Sequence, residues 1–221
     1  AIIKRECGDG EIGIDVGIEN YIYDSKGNVY ENPKHFDKYH QELKVAQQSL
    51  YKKVKGSNSR NKSRLKVAKI HEKIANARSD FIHKLSTKLI KENKFIAIEK
   101  LNIKNLIEIS YNAKNIADAS WGKLAMYLHY KAENAGCVVQ DVDPAYTTRD
   151  CNFCGYRNRK LFLWQRQFCC EECNKELIRD YNSALNILAR GKELASLEKA
   201  SSTEQFVQQE ASMNAEAITS K

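Results

Sequence analysis

The stretch "EIGIDVGIENYIYDS" (11–25) has the alternation of apolar residues that is typical of a strand buried in a sheet. Because side chains on a strand alternate between its two faces, we expect the apolar residues on one face and Asp15 on the other, between two glycines. A carboxylate without a partner in so apolar a strand is costly. We therefore interpret Asp15 as a functional residue, and we expect the glycines to leave open space around it.

Predicted strands and helices follow one another along the rest of the chain. Two short strands come after the first, and a helical hairpin follows them, since apolar residues recur there at three- and four-residue spacing. This order predicts an α/β fold built on a mixed sheet of about five strands with flanking helices. The predicted elements are the hairpin (36–93), a strand ending at Glu99, a helix (119–136) closed by Gly136, a strand (137–143) and a last helix (179–191).

The domain organisation follows from a cysteine-rich insertion late in the chain. We predict a first part of the main domain over 1–146, the insertion over 147–178 and the last helix of the main domain over 179–191. Residues 192–221 are rich in Ser, Glu, Gln and Ala with little apolar period, so we predict a disordered tail there.

The insertion carries the strongest motif in the chain. Cys151 and Cys154 form one C-x₂-C pair, Cys170 and Cys173 form a second, and 15 residues separate the pairs. Four thiolates suit tetrahedral Zn²⁺ and leave no position open for chemistry, so we predict one structural zinc ion. Cys169 is an alternative ligand, although only Cys170 gives the two-residue spacer. Free buried thiols are the remaining alternative.

The charge favours a polyanionic partner. The chain has 221 residues, with 36 Lys and Arg against 28 Asp and Glu, and a net charge of +8. Such an excess favours nucleic acid, although a solvated basic surface is the common alternative for a run of charge. The residues that we predict to contact nucleic acid are Lys52, Lys53, Lys55, Arg60, Lys62 and Arg64 in the hairpin, Arg157, Arg159 and Lys160 in the insertion, and Arg179.

Phe162 and Trp164 accompany the cations of the insertion. Aromatic side chains among cations are suited to stacking on bases beside phosphate contacts. The same two residues could instead form the small core of the insertion, and the sequence does not separate these interpretations.

Three acids are candidate metal ligands: Asp15 in the first strand, Glu99 at the end of a later strand and Asp180 at the start of the last helix. Glu99 could be turned to water, and Asp180 could complement the helix dipole. If the first and fourth strands are neighbours, however, all three carboxylates can meet. Two divalent ions held there would activate a water and stabilise the leaving 3′ oxygen of a phosphodiester.

A resemblance joins these features. The residues that carry it are "GIDVGIEN" (13–20), "FIAIEKLN" (95–102), "VDPAYTTRDCNFCG" (142–155), "FCCEEC" (168–173) and "RDYNSALNIL" (179–188). In this order they resemble the RuvC nuclease half of TnpB, the transposon-encoded RNA-guided endonuclease family related to the compact type V CRISPR nucleases. Residues 64–86 and 118–124 resemble the same family.

The resemblance implies a ribonuclease H-like fold and DNA endonuclease activity associated with transposition. It also implies Asp15, Glu99 and Asp180 as catalytic acids holding two Mg²⁺ or Mn²⁺ ions, and a zinc ribbon that binds target nucleic acid. The implied partners are a target DNA strand, single-stranded at the active site, and a guide RNA in the full-length family. The sequence departs from the family pattern at Ile178, where an acid is usual, and at Asn174, where glycine is usual.

Two other functions are compatible with the sequence. The family's N-terminal portion would precede Glu11, so we expect a truncated gene, one part of a split gene or a shortened fragment. Such a chain could be a non-catalytic nucleic-acid-binding remnant or regulator. A junction resolvase or cut-and-paste transposase is the other alternative. No apolar run approaches the ~20 residues of a membrane span and no signal peptide is visible, so we expect a cytoplasmic protein with no membrane partner.

Overall fold

The computed structural model describes residues 6–159, 161–162 and 164–219, with side chains described as far as residue 201. The elements are, in chain order, β1 (Gly10–Val16), β2 (Asn20–Asp24), β3 (Val29–Glu31), α1 (His35–Tyr51), α2 (Asn58–Glu92), β4 (Asn93–Glu99), α3 (Ile103–Ile109), α4 (Ala113–Ala119), α5 (Trp121–Ala135), β5 (Val138–Val142), β6 (Gln167–Cys169), β7 (Glu176–Ile178) and α6 (Arg179–Thr219).

The main sheet has five strands in the order β3-β2-β1-β4-β5. Strand β1 runs parallel to β4, which runs parallel to β5, whereas β2 and β3 are joined to β1 by antiparallel pairing. The predicted mixed sheet is confirmed, and so is the expectation that the first and fourth strands are neighbours. Both strands therefore end at the same edge of the sheet.

The two faces of the sheet pack against different helices. Ile12, Ile14 and Ile96 form one core with the apolar faces of α2 and α5. Phe95 and Ala97 point to the other face and form a smaller core with α6. The alternation of side chains along β1 and β4 thus places Asp15 and Glu99 on the α6 face of the sheet.

The helical hairpin is confirmed, with α1 and α2 as its arms. Leu43 and Ala46 of α1 pack against Ile70 and Ile74 of α2. Between β4 and α5 the sequence analysis predicted only a polar loop, whereas the structure has the short helices α3 and α4 there. Each has only seven residues, too few to establish a clear helical periodicity.

The end of the last helix was predicted wrongly. We expected a stop at Gly191 and a disordered tail beyond it, whereas α6 continues through Gly191 to Thr219. Ala195 packs against the α6-face core and Lys192 pairs with Glu11. A Cβ added at Gly191 would lie 2.6 Å from the Cβ of Ala97. The glycine therefore allows α6 to approach β4 closely; it does not end the helix.

The cysteine-rich insertion between β5 and α6 forms a small antiparallel pair, β6 and β7. Its core consists of Phe168 and two cysteines, with Tyr156 and Leu161 packed against them. Among the described residues, no helix combines the length and the apolar character needed to cross a lipid bilayer.

Candidate active site and metal centre

Asp15 and Glu99 lie side by side at the edge of the sheet where β1 and β4 end. Ile14 pairs with Ile98, so the next residue of each parallel strand is one of the two acids. Neighbouring strands are about 4.8 Å apart, which brings the two side chains together on the α6 face. The sequence predicted both acids, and strand pairing explains why they meet.

Asp180 reaches the same edge of the sheet from the first turn of α6. Helix α6 crosses β1 over Gly13, where an added Cβ would lie 2.2 Å from the carbonyl oxygen of Ala184. The expectation of open space beside Asp15 is therefore wrong at Gly13, because α6 fills that space. The missing side chain at Gly13 is what lets the helix that carries Asp180 approach the strand.

The local electrostatics disfavour ionisation of the two strand acids. Burial raises the pKa of Asp15 well above its usual range, the charges of Glu99 and Asp180 raise it further, and Arg179 opposes them. Burial also raises the pKa of Glu99, against a hydrogen bond from Thr147 and the charge of Arg190. Carboxyl groups that repel one another's charge in this way favour a bound cation.

The donor chemistry of the three acids fits hard divalent ions. Mg²⁺ and Mn²⁺ prefer carboxylate oxygen and water as ligands. Asp15 and Glu99 offer carboxylates from the sheet, and Asp180 offers one from the helix; all three line one cleft of about 870 Å³. Such a cleft has room for ions, their remaining waters and part of a polymer backbone.

Arg166 brings a positive charge from the insertion into this cleft. Its guanidinium lies 3.7 Å from Asp180 and pairs with Glu19, which follows β1. Arg179 contacts the same carboxylate at 3.1 Å. The sequence analysis noted Arg166 among the ribbon cations but did not place it near the acids, because no periodicity relates position 166 to β1. Arg179 was predicted, and it lines the cleft as well.

Thr147 holds Glu99, and the sequence gave no signal for this contact. Its buried hydroxyl lies 2.7 Å from a carboxylate oxygen of Glu99. The amide of Asn186, on α6, donates to the backbone carbonyl of Thr147 at 2.8 Å. One acid of the sheet is therefore oriented through the loop that enters the insertion, and that loop is fixed by α6.

The four predicted zinc ligands form a compact cluster. The sulfur atoms of Cys151, Cys154, Cys170 and Cys173 all lie within 4.8 Å of one another. Two of the Sγ–Sγ distances are 3.7 Å (151 to 173) and 3.5 Å (154 to 170). A tetrahedral site with Zn–S bonds of about 2.3 Å has edges of about 3.8 Å, so the residues fit a zinc ion. Exposed Cys169 lies outside this cluster.

The backbone of both knuckles is shaped for the cluster. Gly155 and Asn174 follow the two pairs with φ of 75° and 54°, a region that favours Gly and accepts Asn. Burial disfavours the Cys170 thiolate, but the N–H groups of Cys173 and Glu172 outweigh it, and the pKa of Cys170 falls to about 7. A thiolate is the form that binds metal.

Side-chain amides attach the ribbon to α6. Asn182 accepts from the backbone N–H of Asn152 at 3.1 Å and donates to the carbonyl of Asp150 at 2.8 Å. Asn186 donates to the same carbonyl, and Arg190 pairs with the Asp150 carboxylate at 2.6 Å. The zinc ribbon is thus bound to the helix that supplies Asp180, within a few turns of that acid.

Phe162 and Trp164 are exposed, so the core interpretation of this pair is wrong. Their exposed fractions are 44% and 75%, and their rings stack on each other with centroids 5.5 Å apart. The ribbon core is built on Phe168 instead. A stacked, exposed aromatic pair is a surface on which an unpaired base can stack.

The predicted nucleic-acid contacts divide into exposed residues and residues with internal partners. Two are engaged: Arg60 donates to the carbonyls of Leu50 and Lys53, and Arg157 forms a two-point pair with Asp150. The exposed ones are Lys52, Lys53, Lys55, Lys62, Arg64 and Arg159, and Lys160 lies outside the described residues. The exposed set remains a prediction, and the two engaged arginines stabilise local structure.

Two family models match the chain. The model OrfB_IS605, described as "Probable transposase", matches residues 4–110. The model "Cas12f1-like, TNB domain" matches residues 121–187, which include the zinc ribbon and the start of α6.

Curated relatives cover most of the chain. A "Putative RNA-guided DNA endonuclease" of Streptomyces pristinaespiralis is 39% identical over 181 residues, which are 81% of this chain and 45% of the relative. The "Putative RNA-guided DNA endonuclease InsQ" of Escherichia coli (strain K12) is 33% identical over 195 residues, which are 81% of this chain and 48% of the relative. The chain therefore spans about half the length of these relatives.

A solved structure shares the fold. The structure titled "Cryo-EM structure of the Cas12f1-sgRNA-target DNA complex" matches with a TM-score of 0.58 and 20% identity, covering 80% of this chain and 49% of that one. The likeness confirms the predicted ribonuclease H-like (RuvC) fold class.

Proposed function

Because this chain belongs to the TnpB-like family, we propose that it is the nuclease core of a metal-dependent DNA endonuclease, with Asp15, Glu99 and Asp180 as its metal-binding acids. The observation that carries the proposal is the meeting of these acids, from two strands and a helix, in one cleft. A protein that only binds nucleic acid gains nothing from buried acids whose charges repel one another.

In the proposed mechanism each residue of the cleft has a distinct role. The three acids hold divalent ions, and two Mg²⁺ or Mn²⁺ ions would supply an activated water and stabilisation of the leaving 3′ oxygen. Arg166 and Arg179, which flank Asp180, contact the phosphate and offset its negative charge. Thr147 keeps the Glu99 carboxylate in one orientation through its hydroxyl.

We propose that the strand in the cleft is a single strand of target DNA. Phe162 and Trp164 support this part of the proposal, since exposed rings stack on bases that have left a duplex. The exposed cations at the tip of the hairpin would add sequence-independent contacts to the backbone.

Guidance by RNA, cleavage of a guided target and association with transposition are proposed for the whole protein, because the chain spans about half the length of its relatives. The relatives' names carry the words RNA-guided DNA endonuclease, and the structural neighbour contains a guide RNA with target DNA. We propose the cytoplasm as the compartment, where thiolates stay reduced for zinc.

The test is cleavage of end-labelled single-stranded DNA by the purified chain with Mg²⁺ or Mn²⁺. We expect the unsubstituted chain to give metal-dependent products and Asp15→Ala to give none, with DNA binding nearly intact, because the acid holds metal and the cations hold the strand. The matched control is Glu133→Gln, which removes an exposed acid of α5 and should leave cleavage unchanged.

Two outcomes contradict the proposal. Cleavage by Asp15→Ala at the rate of the unsubstituted chain would reject the assignment of the acids. Tight binding of DNA by the unsubstituted chain with no cleavage in either metal would favour the non-catalytic remnant or regulator.

A further inference from the structure

A second cleft, far from the three acids, is lined mainly by lysines. It has a volume of about 710 Å³ and lies between the C-terminal half of α2 and helix α5. Its charged lining consists of Lys84, Lys88, Lys91 and Lys131, with His83 beside them and Glu92 as the acid. We call these residues the basic cleft. Neither the sequence analysis nor the proposed mechanism uses them.

Lys131 fixes a positive charge at the floor of the basic cleft. The residue is only 5% exposed, and its ammonium group donates to the carbonyl of His83 at 2.8 Å, to Ser86 at 2.7 Å and to Thr87 at 2.8 Å. These acceptors are neutral oxygen atoms of α2, so they orient the ammonium without cancelling its charge. The side chain is therefore held in place before any ligand arrives, which lowers the entropy cost of binding an anion.

The lysines of α2 form a row along the cleft. Lys84, Lys88 and Lys91 are exposed and follow one another at four- and three-residue spacing, so they lie on one side of the helix. At 1.5 Å per residue the row is about 10 Å long. One strand of a B-form duplex carries a phosphate every ~3.4 Å along the axis. The row thus matches the length of about three consecutive phosphates.

The basic cleft and the catalytic acids lie on opposite sides of the sheet. Helix α2 ends at Glu92, where β4 begins, whereas Glu99 lies at the other end of β4. Seven strand residues span about 20 Å. The acids also face α6, while α2 and α5 cover the other face. A phosphate bound in the basic cleft is therefore not the phosphate at the acids.

We propose that the basic cleft binds the phosphodiester backbone of a nucleic-acid segment that the protein retains and does not cut. This proposal deepens the proposed function, on which it rests: the chain contacts nucleic acid at a second place, behind the catalytic face. RNA and DNA share the recognised group, so the experiment contains an arm for each.

The experiment compares two double variants that remove the same charge. Lys88→Ala/Lys91→Ala empties the row while leaving the Lys84–Asp80 pair, and Lys38→Ala/Lys44→Ala removes two exposed lysines of α1. The probes are a labelled RNA hairpin and a labelled DNA duplex, measured by fluorescence anisotropy between 50 and 200 mM salt without divalent ions. We expect the first variant to bind about tenfold more weakly and its salt slope to fall by about 2 on the probe that occupies the cleft.

A charge-preserving variant separates charge from folding. Lys88→Arg/Lys91→Arg should keep most of the affinity, and all variants should melt as the unsubstituted chain does. Loss on the RNA arm alone identifies RNA as the occupant, loss on the DNA arm alone identifies DNA, and loss on both identifies the shared backbone. Equal loss in the α1 control, or none in the row variant, overturns the proposal. Since no cleavage is measured, this result is independent of whether the acids cut DNA.

Discussion

At the scale of the residue, Asp15 is a carboxylate that the fold places at a cost. Burial and two neighbouring acids raise its pKa, so the folded protein binds a proton more tightly at this position than the unfolded chain does. Between the ordinary value of 3.8 and the raised pKa, the free energy of unfolding therefore falls as pH rises. Functional sites often hold such a cost, which a ligand offsets.

We predict that Asp15→Asn raises the melting temperature of the metal-free protein at neutral pH. The amide has a similar shape and no charge to bury, and each kcal/mol gained corresponds to about 2–4 °C for a chain of this size. The difference should shrink as pH falls toward 3.8, where the carboxyl is protonated in both states. Differential scanning fluorimetry at several pH values measures it.

Added Mn²⁺ provides the second half of this measurement. The ion should raise the melting temperature of the unsubstituted chain by binding its folded state and should have less effect on Asp15→Asn. A lower melting temperature for the variant at neutral pH would show that the carboxylate is favourably held and would contradict the electrostatic interpretation.

The residues that sequence reasoning found and missed differ in a physical way. The three acids were predictable because each departs from its local pattern, as Asp15 does within an apolar strand. Arg166 and Thr147 were not, since a surface arginine and a loop threonine fit their local surroundings. Their roles arise from contacts across 14 and 48 positions of sequence, to Asp180 and Glu99 respectively, and only the fold creates those contacts.

At the scale of the element, glycines set how closely α6 packs on the sheet. The five strands, the helical hairpin and the capped helix α5 followed from periodicity and turn chemistry. The extent of α6 did not, because a glycine in a helical pattern has the same letter whether it ends the helix or allows a close approach. Gly191 is of the second kind, with an added Cβ only 2.6 Å from Ala97.

We predict that Gly191→Ala destabilises the protein by about 1–3 kcal/mol, because the added methyl group overpacks a strand that has no space to move. In an open helix the same change would stabilise by about 0.5–1 kcal/mol. Gly122→Ala in α5 is the matched control, since its Cβ would meet only Ile103, at 3.5 Å. Urea unfolding of both variants measures the difference. Equal or greater stability of Gly191→Ala would mean that α6 does not pack against β4 as described.

At the scale of the whole molecule, the zinc ribbon and the cleft form one mechanical unit. The ribbon is tied through Asn182 and Asn186 to α6, which carries Asp180. The loop that enters the ribbon carries Thr147, which holds Glu99, and Arg166 extends from the ribbon to Asp180. Two of the three acids are thus oriented by contacts that depend on a folded ribbon.

We therefore predict that loss of zinc weakens metal binding at a site on the other side of α6. Cys154→Ser should release about one zinc ion per chain, since it removes one of four ligands. The affinity of the cleft for Mn²⁺, measured by electron paramagnetic resonance, should then fall although none of the three acids is changed. Cys169→Ser should keep both properties, because its sulfur lies outside the cluster. A zinc-free Cys154→Ser protein that binds Mn²⁺ as tightly as the unsubstituted chain would show that the ribbon and the acids fold independently, and zinc loss in Cys169→Ser would reassign the fourth ligand.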